Sequence, residues 1–244
     1  MTKTEWRTYE RTDGTFNGRN YILVKPKKAA AGNPWVWRAE FFSAFDSVDM
    51  DLLSKGWHIA YYDVSNMYGC DEAITLMKNF HGFITKEYGL SAKADIFGFS
   101  RGGLYAVNYT AQYPDDISVL YLDAPVLDIR SWPAGLGLGK NAPSEWKECK
   151  EFYGLSDVRS IIDFNRNPLD KTDILIKNKI PVVLCAGEVD EVVPYAENGR
   201  IFNDIYRKSG GDILTILKPN CNHHPHSIDI PDPISRFIEE HKSR

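Results

Sequence analysis

The 244-residue chain predicts a mixed, mostly parallel α/β sandwich, and three observations carry that prediction. Short, almost wholly apolar runs, Ala94–Phe99, Ile117–Leu122 and Pro181–Ala186, have the composition of strands covered on both faces. They alternate with stretches of helical period, the clearest being Asp71–Tyr88, where Ile74, Met77, Phe80 and Ile84 share one side. The first third of the chain reads as strands only, so an antiparallel start precedes the βα units.

In order, Arg7–Arg11, Asn20–Lys25 and Trp35–Phe42 read as strands, separated by turn chemistry at Asp13-Gly14 and Ala31-Gly32-Asn33-Pro34. Trp57–Val64 is a further strand, and Asp71 is placed to cap the helix that follows. Thereafter Ala94–Phe99 leads into a helix over Arg101–Tyr113, and Ile117–Leu122 is followed at a distance by a helix over Ser144–Tyr153. Pro181–Ala186 precedes a helix over Tyr195–Lys208, Ile213–Leu217 is the last strand, and Pro233–His241 the last helix. No repeat, low-complexity tract or Pro/Gly/Ser-rich linker divides the chain, so 1–244 reads as one domain.

Composition narrows the function. With 43% hydrophobic and 25% charged residues the chain is neither disordered nor in need of a metal or disulfide staple. A net charge of −4 disfavours nucleic acid as a partner. No apolar run is long enough for a membrane span, and Met1–Arg7 lacks the apolar core of a signal peptide. The four cysteines, Cys70, Cys149, Cys185 and Cys221, form no CxxC and read as reduced thiols, which favours the cytoplasm, with a secreted or periplasmic protein whose signal peptide had been removed as the alternative.

The strongest chemical signal is Gly98-Phe99-Ser100-Arg101-Gly102-Gly103, a G-x-S-x-G motif between a predicted strand and a predicted helix. Such a turn projects the Ser100 hydroxyl at the sheet edge, with small residues on either side letting the backbones approach. It aims the Arg101 backbone N–H at a developing oxyanion, at a helix N-terminus that favours negative charge. The competing reading is a Gly/Ser-rich turn that merely opens a helix.

A serine nucleophile needs a base, and the base needs an orienting group. The strand Pro181–Ala186 runs into Gly187-Glu188-Val189-Asp190-Glu191-Val192-Val193-Pro194, where Asp190 is the candidate acid, with Glu188 and Glu191 as rivals. After the last strand, Asn220-Cys221-Asn222-His223-His224-Pro225-His226 holds three of the six histidines. His223 is the earliest and best placed for the base, and His224 and His226 remain alternatives. Cys221 and these histidines are also zinc-ligand types. Adjacent histidines in a tight loop rarely converge on one ion, however, and no second ligand cluster stands upstream, so the expectation is no metal and no cofactor.

The order Ser100, Asp190, His223, the elbow and the Gly187-x-x-Asp190-x-x-Val193-Pro194 segment together resemble the α/β-hydrolase superfamily across essentially the whole chain. The resemblance implies an eight-stranded sheet, catalytic loops at its C-terminal edge, and an oxyanion hole. One donor would be Arg101. The second would lie near Trp37-Arg38-Ala39, with Arg38 as the candidate; the His-Gly-Gly-Gly of lipases is absent, and Asn220-Cys221-Asn222-His223 departs from the frequent Gly-x-Gly-His. Arg101 is also similar in position to the arginine that follows the nucleophile of glucuronoyl esterases, although the pattern after it differs.

Segment 123–179 is where such folds insert a cap. It carries Trp132 at the head of a Gly-rich loop, a side chain suited either to stacking on a sugar or acyl group or to anchoring the cap. Trp37, Tyr68 and His226 join it as candidate substrate contacts, and Trp35, Glu40, Asn66 and Met67 fall on nearby loops. The mixture of indoles and polar groups predicts a small-molecule ester, polar or carbohydrate-linked, with no extended apolar lid for a triglyceride. The expected form is a monomer or homodimer. A peptidase of the same fold usually adds a domain to hold a peptide terminus, for which this length leaves no room. A non-catalytic binding module would more readily have lost one of the three catalytic residue types.

Overall fold

A computed structural model describes residues 1–242. Its nine strands are β1 (Thr2–Trp6), β2 (Tyr9–Phe16), β3 (Arg19–Val24), β4 (Trp35–Arg38), β5 (His58–Tyr62), β6 (Ala94–Phe99), β7 (Ile117–Asp123), β8 (Val182–Gly187) and β9 (Ile213–Lys218). They form one sheet in the order β1-β2-β3-β5-β4-β6-β7-β8-β9. Pairing is antiparallel from β1 to β5 and parallel from β5 through β9. The mixed, mostly parallel arrangement is therefore as expected, with one strand beyond eight.

The additional strand is β1, which pairs with β2 around the two-residue turn Arg7-Thr8, where Arg7 takes φ 59°. The turn carries neither Gly nor Asn, so it lacks the usual hairpin signature. The next turn has that signature. Asn17 and Gly18, at φ 48° and 76°, close the β2–β3 hairpin. Asp13-Gly14 is not a turn but the middle of β2, opposite Tyr21 and Ile22. Gly14 is there because a Cβ would stand 2.5 Å from the Tyr21 ring.

The helices are α1 (Ser47–Ser54), α2 (Asp71–Tyr88), α3 (Gly102–Gln112), α4 (Pro143–Tyr153), α5 (Val158–Ile162), α6 (Thr172–Lys177), α7 (Gly199–Lys208) and α8 (Asp232–His241). Cys70, not Asp71, occupies the N-cap of α2. The helix expected from Tyr195 is divided into a single turn, Tyr195–Glu197, and α7. Asn198 sits at the break and accepts from the backbone N–H groups of Leu127 and Asp128 at 2.9 and 3.2 Å, tying down the chain just past β7. Segment 123–179 holds the end of β7, the Gly-rich loop and α4 to α6. No helix among the described residues is long and apolar enough to cross a membrane.

Strand alternation builds two cores. Trp35, Trp37, Ile96, Leu120, Leu122 and Leu184 point to the face covered by α2 and α3. Val36, Phe97, Phe99, Tyr121 and Val183 point to the other, covered by α1 and α8. That second face also buries Asp95, whose Oδ2 accepts from Trp57 Nε1 at 2.8 Å. Burial pushes the Asp95 carboxyl up to about 7. An acid held protonated by the fold favours the native state at low pH, and that contribution is lost as pH rises from about 3.9, the unfolded value, to about 7. Asp95→Asn keeps an acceptor for Trp57 without the charge. It is expected to remove this part of the pH dependence and to raise stability at pH 8. At about 1.4 kcal/mol per pH unit the gain is bounded at about 4 kcal/mol, and urea unfolding of both proteins at pH 5 and 8 measures it.

Candidate active site

The segment between β6 and α3 makes a sharp turn at Ser100, which takes φ 49°. A non-glycine residue in this region costs roughly 1–2 kcal/mol, and the surroundings hold it there. Ser100 N–H donates to Asp123 O at 2.9 Å, and Ser100 O accepts from Gly103 and Val126 N–H at 3.0 and 2.9 Å. The glycines are steric necessities. A Cβ on Gly98 would lie 2.8 Å from Ala106 Cβ and 2.9 Å from Gly102 O, and one on Gly103 would lie 2.7 Å from Pro125 Cβ.

At the C-terminal ends of β8 and β9, two loops are sewn together. Val189 N–H donates to Cys221 O at 3.0 Å, and Asn222 Oδ1 accepts from the N–H groups of Glu191 and His223 at 3.0 and 2.7 Å. Asn222 thus provides a local reason for the departure from the usual Gly-x-Gly-His. The result is a straight relay. Ser100 Oγ lies 2.9 Å from His223 Nε2, and His223 Nδ1 lies 2.7 Å from Asp190 Oδ2. The other Asp190 oxygen accepts from Val192 and Val193 N–H, both at 2.8 Å. Glu188 and Glu191 are exposed, and Glu191 pairs with Lys140 instead.

A cavity of about 210 Å3 opens over Ser100, with walls from Phe41, Phe45, Phe99 and the three histidines of the last loop. A larger one, about 600 Å3, lies between Pro114, Ile117 and Lys179 at the opposite end of the strands and is remote from this chemistry.

No protein-family model and no curated protein matches the chain by sequence. Solved structures do match. A puromycin-hydrolyzing peptidase of Mycobacterium tuberculosis superposes with a TM-score of 0.68 at 16% identity, over 96% of this chain and 39% of its own. Porphyromonas gingivalis dipeptidyl peptidase 4 gives 0.66 at 14%, over 96% and 35%. A protein described as a lipase from Acinetobacter baumannii gives 0.62 at 13%, over 93% and 89%. This is the α/β-hydrolase fold. The chain spans little more than a third of the length of the two peptidases.

Within the α/β-hydrolase frame, several expected site residues are placed elsewhere. The Arg38 side chain is turned away from Ser100 and cannot reach an oxyanion there. It points to the α1 face, fully buried, and makes a two-pronged pair with Asp49 at 2.8 and 2.6 Å. Its guanidinium also donates to Ala44 O at 3.0 Å and stacks 4.1 Å from the centre of the Phe99 ring. Arg38 is therefore a strut under the 41–46 loop and the elbow. That loop begins where the predicted strand 35–42 stops: Ala39 N–H still donates to Phe97 O at 3.0 Å, and then Phe41, Ser43 and Phe45 all turn left-handed. Trp6 Nε1 reaches Ser43 Oγ at 3.0 Å, so the N-terminal hairpin braces the loop as well.

Trp37 is a core residue, stacked on Trp35 at 5.4 Å and edge-on to Tyr109 at 4.9 Å. Tyr68 is fully buried and donates to Glu148 at 2.8 Å, which fastens α4 to the body. Trp132 is half-buried and packs against the α2/α3 core. The alternation of β4 sends odd and even residues to opposite faces, but nothing local says which face carries the site.

Arg101 follows Ser100, and its side chain reaches Phe41, a wall of the cavity. Its guanidinium lies 5.3 Å from the Phe41 ring centre and 3.5 Å from Glu40 Oε2. Burial raises the Glu40 carboxyl while Arg101 and Ser65 lower it, with burial prevailing. Residue 102 being glycine leaves Glu40 room, since a Cβ there would lie 3.2 Å from the Glu40 Cβ, a crowded contact.

The site residue that the sequence analysis misses is Asp123, the last residue of β7. Its Oδ1 lies 2.8 Å from His226 Nδ1, and its Oδ2 accepts from Ser227 N–H at 2.7 Å and from the Tyr121 hydroxyl at 2.9 Å. Burial alone would raise this carboxyl, but His226, Lys218 and Ser227 outweigh it and hold it below the usual range. His226 therefore faces the cavity as a second carboxylate-held imidazole. An aspartate ending a buried strand beside the nucleophile strand is the signal that could have found it.

Proposed function

We propose that the protein is a serine hydrolase that cleaves a carboxylic ester of a small, polar or carbohydrate-linked molecule. The Ser100–His223–Asp190 relay, at 2.9 and 2.7 Å on a left-handed serine, is the observation that carries this reading. His223 Nε2 takes the Ser100 proton as Oγ attacks the ester carbonyl, and Asp190 holds the imidazole in the tautomer that leaves Nε2 free. The tetrahedral oxyanion would meet the Arg101 N–H at the start of α3. A second donor would come from the left-handed 41–46 loop, whose Phe41 walls the cavity with Ser100. Collapse returns the proton from His223 to the leaving alkoxide, leaving an acyl-enzyme on Ser100. Water, deprotonated by the same imidazole, then releases the acid.

The cavity is below the roughly 300–1,000 Å3 of pockets for drug-sized ligands, which favours a short acyl group. His226, in the cavity wall, supplies a polar contact for the alcohol side. Trp37 and Tyr68, being core residues, contribute nothing to sugar binding. A peptidase or amidase is the second reading, favoured by the peptidase names of two structural neighbours. A panel of acetyl, feruloyl and methyl-uronate sugar esters, run beside aminoacyl and dipeptidyl amides, tests both. The ester reading expects the highest kcat/KM on a short-acyl sugar ester, and preference for any of the amides would overturn it.

A further inference from the structure

We propose that His223, His224 and His226 together form a binding site for one divalent cation of the zinc type, and that its occupation switches the hydrolase off. The first observation is convergence. One ring nitrogen from each histidine lies within 4.8 Å of the other two. The rings are nearly equidistant, with centres 4.9, 4.8 and 4.8 Å apart, and close to mutually perpendicular, at 65°, 80° and 88°. Three imidazoles on one zinc hold their donor atoms about 3.4 Å apart, given Zn–N of about 2.1 Å and tetrahedral angles. Closing the remaining gap takes a shift on the order of 1 Å, which His224 can provide because it is exposed.

The second observation is independent of the first. Two of the three imidazoles already have the outer partners that metal-binding histidines require. Asp190 holds His223 Nδ1 at 2.7 Å, and Asp123 holds His226 Nδ1 at 2.8 Å. Each carboxylate keeps the proton on Nδ1, orients the ring and leaves the Nε2 lone pair available, as in carboxylate–histidine–zinc arrangements. A set of imidazole nitrogens selects zinc, copper or nickel over magnesium or calcium, which prefer oxygen ligands. Sequence spacing argues against convergence of neighbouring histidines. The fold reverses that argument, because Asp123 arrives from β7 to turn His226 back toward His223.

The cation would take the His223 Nε2 lone pair that Ser100 needs as its proton acceptor, so binding and turnover exclude each other. Binding stands on geometry alone; the switch rests on the proposed hydrolase activity. Calorimetric titration of the chelator-stripped, dialysed full chain with Zn2+, with Mg2+ as the control, reads binding without reference to activity. The expected result is one saturable Zn2+ per chain, no comparable Mg2+ binding, and affinity undiminished in Ser100→Ala, which frees the His223 Nε2 lone pair. Affinity should fall about 10- to 100-fold in Asp123→Asn, which removes an outer partner, and at least as far in His224→Ala and His226→Ala. His224 is exposed, so its variant carries the test should Asp123→Asn fail to fold. Absence of saturable binding, or undiminished binding in both histidine variants, overturns the site. Turnover of p-nitrophenyl acetate should fall in step with occupancy and return with EDTA; full turnover by the loaded protein overturns the switch. A protein that binds Zn2+ as stated but hydrolyses no substrate would retain the site and refute the hydrolase reading instead.

Discussion

Ser100→Ala is expected to lower kcat on p-nitrophenyl acetate by about 10^4- to 10^6-fold, the range seen when the nucleophile of a serine triad is removed. The substitution deletes one oxygen from a side chain whose hydrogen bond is to His223. Its backbone bonds to Asp123, Gly103 and Val126 do not involve that oxygen. Alanine tolerates the left-handed turn no better than serine, so the melting temperature should move little. Stopped assays with wild type and variant, alongside thermal melting of both, separate loss of chemistry from loss of fold. Equal rates in the two proteins would eliminate Ser100 as the nucleophile.

Asp190→Asn is expected to lower kcat by about 10^4-fold with little change in KM. Asp190 uses one oxygen to accept from Val192 and Val193 N–H and the other to hold His223 Nδ1. An asparagine can satisfy the two backbone donors with its carbonyl, so the loop should survive. The group then facing His223 is an NH2 donor, which favours the tautomer with Nδ1 bare and the proton on Nε2. That proton points at Ser100, and the base is lost. A drop in kcat with unchanged thermal stability is the signature; a matching loss of stability would instead mean that Asp190 is a loop-shaping residue.

Much of the fold was legible because its signals are local. The short, almost wholly apolar runs of the buried strands, the helical period of Asp71–Tyr88 and the strand–turn–helix context of Ser100 all lie within short windows. The failures have equally definite causes. Gly14 read as a turn because glycine usually marks one, whereas here it makes room for the Tyr21 ring across the hairpin. Helix α1 went unread because its apolar side is only Val48, Leu52 and Leu53, and its remaining buried residue, Asp49, is stabilised by Arg38 eleven positions upstream.

The sequence by itself determined the fold class and the candidates Ser100, Asp190 and His223. Each is announced by neighbours in the chain: the glycines of the elbow, and the loops that end apolar strands. Tertiary structure alone decided the roles of the side chains around them. Arg38 left the oxyanion for Asp49, Trp37 and Tyr68 went into the core, and Asp123 claimed His226 from 103 residues away. The physical reason is that burial of a charge or an indole is decided by what packs against it, and those partners come from distant segments.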